Sequence, residues 1–303
     1  MKTNNLTLLK SIKKITEIKE VGLTDELKAR IGPKLSQQAL ENSVHMNVYR
    51  MLYMSQGHKV VGYIVEPKLG DNLPCIIYNR GGSGDFGAIK LGQLFLDFSK
   101  FARAGYITIF TQYSGNAGSE GKDEMGGSDI EDVLELYNIL KQYQRADVSR
   151  VGMYGGSRGG MMTYLALAKV EWLKAAVIVA GLNNIPGDKT FRPEMKDHYI
   201  KMFGRSMKEK KKRSAIYWVD KLPKNVPILL MHGTSDWRVN PLDSLHMAEK
   251  MYEQKIPYRL VMFEGADHGL FEYKQEANEM AIKWMDGYVK NGETLPNLEP
   301  HGD

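Results

Sequence analysis

Apolar residues recur along the 303-residue chain in two rhythms, and the rhythm changes near residue 45. Before that point Leu9, Ile12, Ile15 and Ile18 fall at helical spacing, with lysines and glutamates between them. This predicts a helical N-terminal extension over residues 1–45, broken at Gly32-Pro33. After it, residues 47–53 and 59–65 read as a pair of strands turning around Gly57. Strand-like apolar runs follow at 74–79, 107–112, 150–154, 175–180, 227–232 and 258–263. Helical patterns lie between or after them at 88–103, 129–144, 158–170, 241–254 and 271–290. Such alternation predicts an α/β fold over residues 46–303, with a mostly parallel central sheet and helices on both faces. Residues 182–222 break the alternation. They are polar and carry Pro186, Gly187 and Pro193, and they read as a cap insertion.

Ligands of parallel sheets sit beyond the carboxyl ends of the strands, so the segments after the strands are where chemistry is sought. The run at 150–154 leads into Gly155-Gly156-Ser157-Arg158-Gly159-Gly160, which contains G-x-S-x-G and opens a predicted helix. That is the setting of a nucleophile elbow, where a strained turn lifts a serine above the sheet. Gly-Gly-Ser also ends at Ser83 and Ser128, but only Ser157 has glycine two residues later. A serine hydroxyl needs an adjacent base. Of seven histidines, His268 follows the last predicted strand, in Gly265-Ala266-Asp267-His268-Gly269. His232 ends a strand and reads as support for its neighbouring loop; His45, His58, His198, His246 and His301 read as surface or structural.

A base of this kind needs a carboxylate to set its tautomer. Asp236, in His232-Gly233-Thr234-Ser235-Asp236, follows the strand before the histidine. Asp267 adjoins His268, but a sequence neighbour cannot easily fold back onto the ring. The order Ser157, Asp236, His268 is that of α/β-hydrolases. An oxyanion also needs donors. The backbone N–H of Arg158 is one candidate, and the loop Asn79-Arg80-Gly81-Gly82-Ser83-Gly84 offers Gly81 and Gly82. A phosphate-cradling role for that loop is disfavoured, because no G-x-x-x-x-G-K-[ST] pattern is present.

Together these segments resemble the catalytic domain of the prolyl oligopeptidase family over residues 50–290. The resemblance also rests on the glycine-rich stretch from Tyr113 to Gly127 that leads into Asp129-Ile130-Glu131-Asp132-Val133. It implies that Arg238, two residues after the acid, holds a substrate carbonyl. Arg80 stands where members often carry tyrosine or histidine, and is taken with Arg238 as a substrate-binding residue. Residues 1–45 are too few for the family's β-propeller.

Composition narrows the partners. The net charge of +5 is not gathered on a recognisable nucleic-acid-binding module, and Lys208, Lys210, Lys211, Lys212 and Arg213 read as a solvated face. The single cysteine, Cys75, excludes an internal disulfide and fits a reducing compartment. The apolar stretch at the N-terminus is too short and too interrupted by lysines for a signal peptide, and no apolar run approaches the roughly 20 residues of a membrane span. The expectation is a soluble, cytoplasmic serine hydrolase, without metal or organic cofactor, acting on a small molecule or short peptide. A homodimer through the N-terminal segment is allowed. A peptidase is the leading reading. A carboxylesterase or acetylesterase acting on small esters is the alternative within the class, and a catalytically inactive binding protein the alternative outside it.

Overall fold

The computed structural model describes residues 4–302; residues 1–3 and 303 lie outside them. The chain folds as two compact units. One comprises residues 1–123 and 131–151, the other residues 124–130 and 152–303.

The first unit opens with α1 (Asn5–Lys10), β1 (Ile15–Glu20), α2 (Asp25–Ile31) and α3 (Pro33–Ser43). The expectation of a helical 1–45 extension is corrected at one place: Ile15–Glu20 is a strand. β1 pairs antiparallel with β2 (Met46–Ser55), with a register shift between Ile15 and Glu17. That irregularity inserts one residue, so Ile15 and Ile18 are both buried, three apart, in a strand whose ordinary period is two. A bulged strand thereby imitates helical spacing. The break at Gly32-Pro33 is as expected. Gly32, at φ 80°, ends α2, and Pro33 occupies the first turn of α3, where its missing N–H is no loss.

β2 and β3 (His58–Pro67) form a hairpin in which Ser55 faces His58. The two linking residues, Gln56 and Gly57, have φ of 49° and 83°, the left-handed pair that matches strand twist. β4 (Leu73–Asn79) is followed by α4 (Leu91–Leu96), α5 (Ser99–Arg103) and β5 (Ile107–Thr111). β5 pairs antiparallel with β3 and parallel with β4. α6 (Ile130–Gln142) then leads to β6 (Ala146–Gly156), which runs from the first unit into the second.

In the second unit α7 (Arg158–Leu167) is buried on nearly every face, which fits a helix apolar all round. β7 (Leu173–Val179), β8 (Ile228–Gly233) and β9 (Tyr258–Phe263) pair in parallel. Every residue of β8 is buried, as expected for a strand covered on both sides. Between β7 and β8 the expected insertion is helical: α8 (Asp188–Phe191), α9 (Met195–Phe203), α10 (Met207–Lys212) and three single 3-10 turns. α11 (Pro241–Glu253) and α12 (Lys274–Met285) complete the unit. The architecture is an α/β fold of the hydrolase type. Among the described residues no helix is long and apolar enough to cross a membrane.

Candidate active site

Ser157 stands between β6 and α7 with φ 55° and ψ −123°. A non-glycine residue holds such a conformation only where its surroundings enforce it. Here the Ser157 N–H donates to the Val179 carbonyl at 2.9 Å, and its own carbonyl accepts from Gly160 and Leu182 at 2.9 and 3.1 Å. The glycines explain themselves by contact. A Cβ on Gly155 would lie 2.1 Å from the Gly159 carbonyl oxygen, and one on Gly160 would lie 2.5 Å from the α-carbon of Gly181. Only bare backbone lets the strand end and the helix start approach so closely.

Arg158 heads α7, and its side chain is buried against Asp129, with Nη2 2.7 Å from Oδ2. The sequence pattern points only to the backbone N–H of Arg158. The counter-charge is nonetheless legible, because an arginine in the first turn of an apolar helix must be paired to be buried.

The acid and histidine loops are pressed together after β8 and β9. The Thr234 N–H donates to the Phe263 carbonyl at 2.8 Å, and the Ser235 N–H to the Ala266 carbonyl at 3.0 Å. A Cβ on Gly233 would meet the Ala266 carbonyl oxygen at 2.3 Å, so the glycine after His232 is what permits the approach. This brings His268 Nδ1 to 2.7 Å from Asp236 Oδ2. The rival acid is engaged elsewhere: Asp267 Oδ1 accepts the N–H groups of Gly269 and Phe271 at 2.8 and 3.2 Å.

Asp236 is fully occupied. Its Oδ1 accepts the N–H groups of Arg238 and Val239 at 2.7 and 3.1 Å, and its Oδ2 accepts His268 Nδ1 and, at 2.9 Å, His232 Nε2. Burial alone would push this carboxyl up, but the hydrogen bonds from His232 and His268 and the charge of His268 outweigh it and hold the group well below the usual carboxylate range. His268 stays 17% exposed, so a hydroxyl or substrate has access to the ring. Ser157 is half-buried, and among the described residues no hydrogen bond of 3.5 Å or less joins its hydroxyl to the His268 ring. The structure thus brings His268 and Asp236 into contact and holds Ser157 in a nucleophile-elbow conformation.

Arg238 lies with its guanidinium over the exposed Trp237 ring, 4.6 Å from the centroid. Arg192, from the cap insertion, approaches the same ring at 5.4 Å, and its Nη1 donates to the Arg238 carbonyl at 3.2 Å. Arg80, in the first unit, differs from its expected substrate-binding role. It is 1% exposed and folds into its own loop, donating to the carbonyls of Gln112, Gly81, Gly84 and Phe86 at 2.9 to 3.3 Å. The desolvated guanidinium is matched by carbonyl acceptors, which makes it a staple for the glycine loop. Within that loop Gly82 has φ 72°, and a Cβ there would lie 2.1 Å from the Phe86 carbonyl oxygen. Gly81 supplies one of the carbonyls that Arg80 holds. Among the described residues no group of three or more His, Cys, Asp or Glu side chains is placed to hold a metal ion.

Comparison with known proteins shows the family and the fold. The sequence profile of the prolyl oligopeptidase family matches residues 93–292. The chain is 25% identical over 254 residues to the "Uncharacterized peptidase YtmA" of Bacillus subtilis, covering 82% of this chain and 95% of that protein. It is 24% identical to the acylamino-acid-releasing enzyme of Mus musculus, covering 62% of this chain but 28% of that one. Among solved structures, the acylaminoacyl peptidase of Pyrococcus horikoshii superposes with a TM-score of 0.73 at 19% identity, over 84% of this chain and 44% of that one. A puromycin-hydrolyzing peptidase of Mycobacterium tuberculosis gives 0.68 at 23% identity, over 77% and 38%. This chain therefore spans nearly all of the Bacillus relative and less than half of these larger proteins.

Proposed function

Because this chain belongs to the prolyl oligopeptidase family, we propose that its serine-peptidase chemistry runs through Ser157, His268 and Asp236 on short peptides. The observation that carries the reading is the His268–Asp236 hydrogen bond of 2.7 Å, formed in the same unit as the strained Ser157. Asp236 accepts the proton-bearing Nδ1 of His268, which leaves Nε2 as the basic nitrogen. When a substrate closes the gap between hydroxyl and ring, Nε2 takes the Ser157 proton and Ser157 Oγ attacks the carbonyl carbon. The backbone N–H of Arg158, at the positive end of α7, stabilises the developing oxyanion. The imidazolium then protonates the leaving amine, and water, deprotonated by the same ring, releases the acyl group from Ser157.

Arg238, held beside Asp236 through its own backbone N–H, contacts a substrate carbonyl in this account. The cap insertion contributes Arg192 to the same corner. A soluble, cytoplasmic enzyme belongs to the same proposal. The test is a substrate series of p-nitrophenyl acetate, aminoacyl anilides and short peptidyl anilides. Turnover of the peptidyl anilides supports the peptidase. Turnover of the acetate ester alone points to an esterase, and no turnover of any of them points to an inactive binding fold.

A further inference from the structure

The sequence marks His232 only as support for a loop, but its ring reaches the proposed catalytic carboxylate. It is completely buried. Nε2 faces two acceptors, Asp236 Oδ2 at 2.9 Å and the Val239 carbonyl at 3.2 Å. The ring proton therefore sits on Nε2, and Nδ1, 2.7 Å from Ser244 Oγ, accepts that hydroxyl. α11 thus sets the tautomer of His232 through Ser244, and His232 donates to the very oxygen that receives His268 Nδ1 at 2.7 Å.

We propose that His232 is a positioning residue for the reaction, which fixes Asp236 and draws part of its negative charge away from the base. This rests on the triad proposed above. With two backbone amides on Oδ1 and two imidazoles on Oδ2, each acceptor direction of the carboxylate is used and its plane cannot turn. Sharing Oδ2 also has an electrostatic consequence. A carboxylate that already accepts a second N–H stabilises an imidazolium less strongly. The charged groups that act on His232 are Asp236 on the following loop, Asp243 on α11, and His268 across the shared oxygen.

Two substitutions separate this role from simple packing. In His232→Gln the terminal amide nitrogen follows the reach of Nε2 and keeps a donor on Asp236. In His232→Asn the shorter amide follows Nδ1 and leaves Oδ2 to His268 alone. The measurement is the pH profile of the rate at which a fluorophosphonate modifies the chain, with melting temperatures recorded alongside. The acid limb in His232→Asn is expected about one pH unit above that of the native chain, the size of one charge-assisted hydrogen bond. In His232→Gln it is expected at its native position.

An equal loss of rate at all pH values in His232→Asn, with the limb unmoved, overturns the role while leaving the hydrolase reading intact. A native chain that does not react at all sinks both. If His232→Asn does not fold, nitrogen NMR of the native chain decides the matter. The His232 ring signals should shift at the pH where His268 titrates, and signals that ignore that titration overturn the proposal.

Discussion

Arg158 and Asp129 form an ion pair with both ends out of water: Nη2 lies 2.7 Å from Oδ2, and the side chains are 2% and 0% exposed. The pair anchors the residue that follows the proposed nucleophile, and so ties the start of α7 to the segment before α6 within one unit. Removing one partner strands the other charge in a dry site. Arg158→Met should cost about 3–5 kcal/mol of unfolding free energy. The double variant Arg158→Met, Asp129→Leu should recover most of that loss. Urea denaturation followed by circular dichroism measures both. A single variant within about 0.5 kcal/mol of native would show that the pair does not hold the helix start in place.

The glycines around the chain are not equivalent, and the difference is measurable. An alanine at Gly155 would place its Cβ 2.1 Å from the Gly159 carbonyl oxygen and 2.4 Å from Thr163 Oγ1. β6 or α7 must then move, at a cost of about 3 kcal/mol or more. Gly265 has φ 69° but nothing within 4 Å of its Cβ position, so Gly265→Ala carries only the left-handed backbone cost of about 1 kcal/mol. Melting curves should rank the two clearly, and Gly155→Ala should also lose fluorophosphonate reactivity.

Asp188, at the start of α8, makes the cap insertion sensitive to pH. Burial pushes its carboxyl up to about 6, and Asp243 adds to the effect, while the hydrogen bond from Tyr199 and the charge of Arg192 oppose it. The unfolded chain releases this proton near the ordinary value of 3.8 and the folded chain near 6. Between those values the native state binds more protons than the unfolded state. Stability therefore falls as pH rises through that window and stays lower above it. Asp188→Asn removes the titration and keeps an oxygen for Tyr199. At pH 8 it should melt higher than the native chain by about 3 °C, and the pH 4–6 slope should flatten. An unchanged slope would contradict this.

Much of the fold is legible in the sequence because its strands are plain. The apolar run at 258–263 is β9 residue for residue, and the Gly57 hairpin turns where its glycine demands. The N-terminal strand is not legible, since the bulge between Ile15 and Glu17 gives β1 the spacing of a helix. For the site, the G-x-S-x-G glycines announce their turn by sterics alone, and Asp236 is separable from Asp267 because a neighbour cannot turn back on its own ring. Where a side chain points is harder to read. Arg80 precedes a glycine loop and so suggests a ligand contact, yet its guanidinium is matched by four carbonyls of nearby chain. His232 hides for the opposite reason: the end of a buried strand looks structural until the following loop brings Asp236 back to it.

The most direct check on the account is the site of covalent modification. The native chain is treated with a fluorophosphonate, and the adduct is located by intact mass and peptide mapping. One adduct per chain on Ser157, absent in Ser157→Ala and strongly slowed in His268→Ala while both variants melt as the native chain does, is the predicted result. Modification that persists in folded Ser157→Ala, or maps to another side chain, would contradict it.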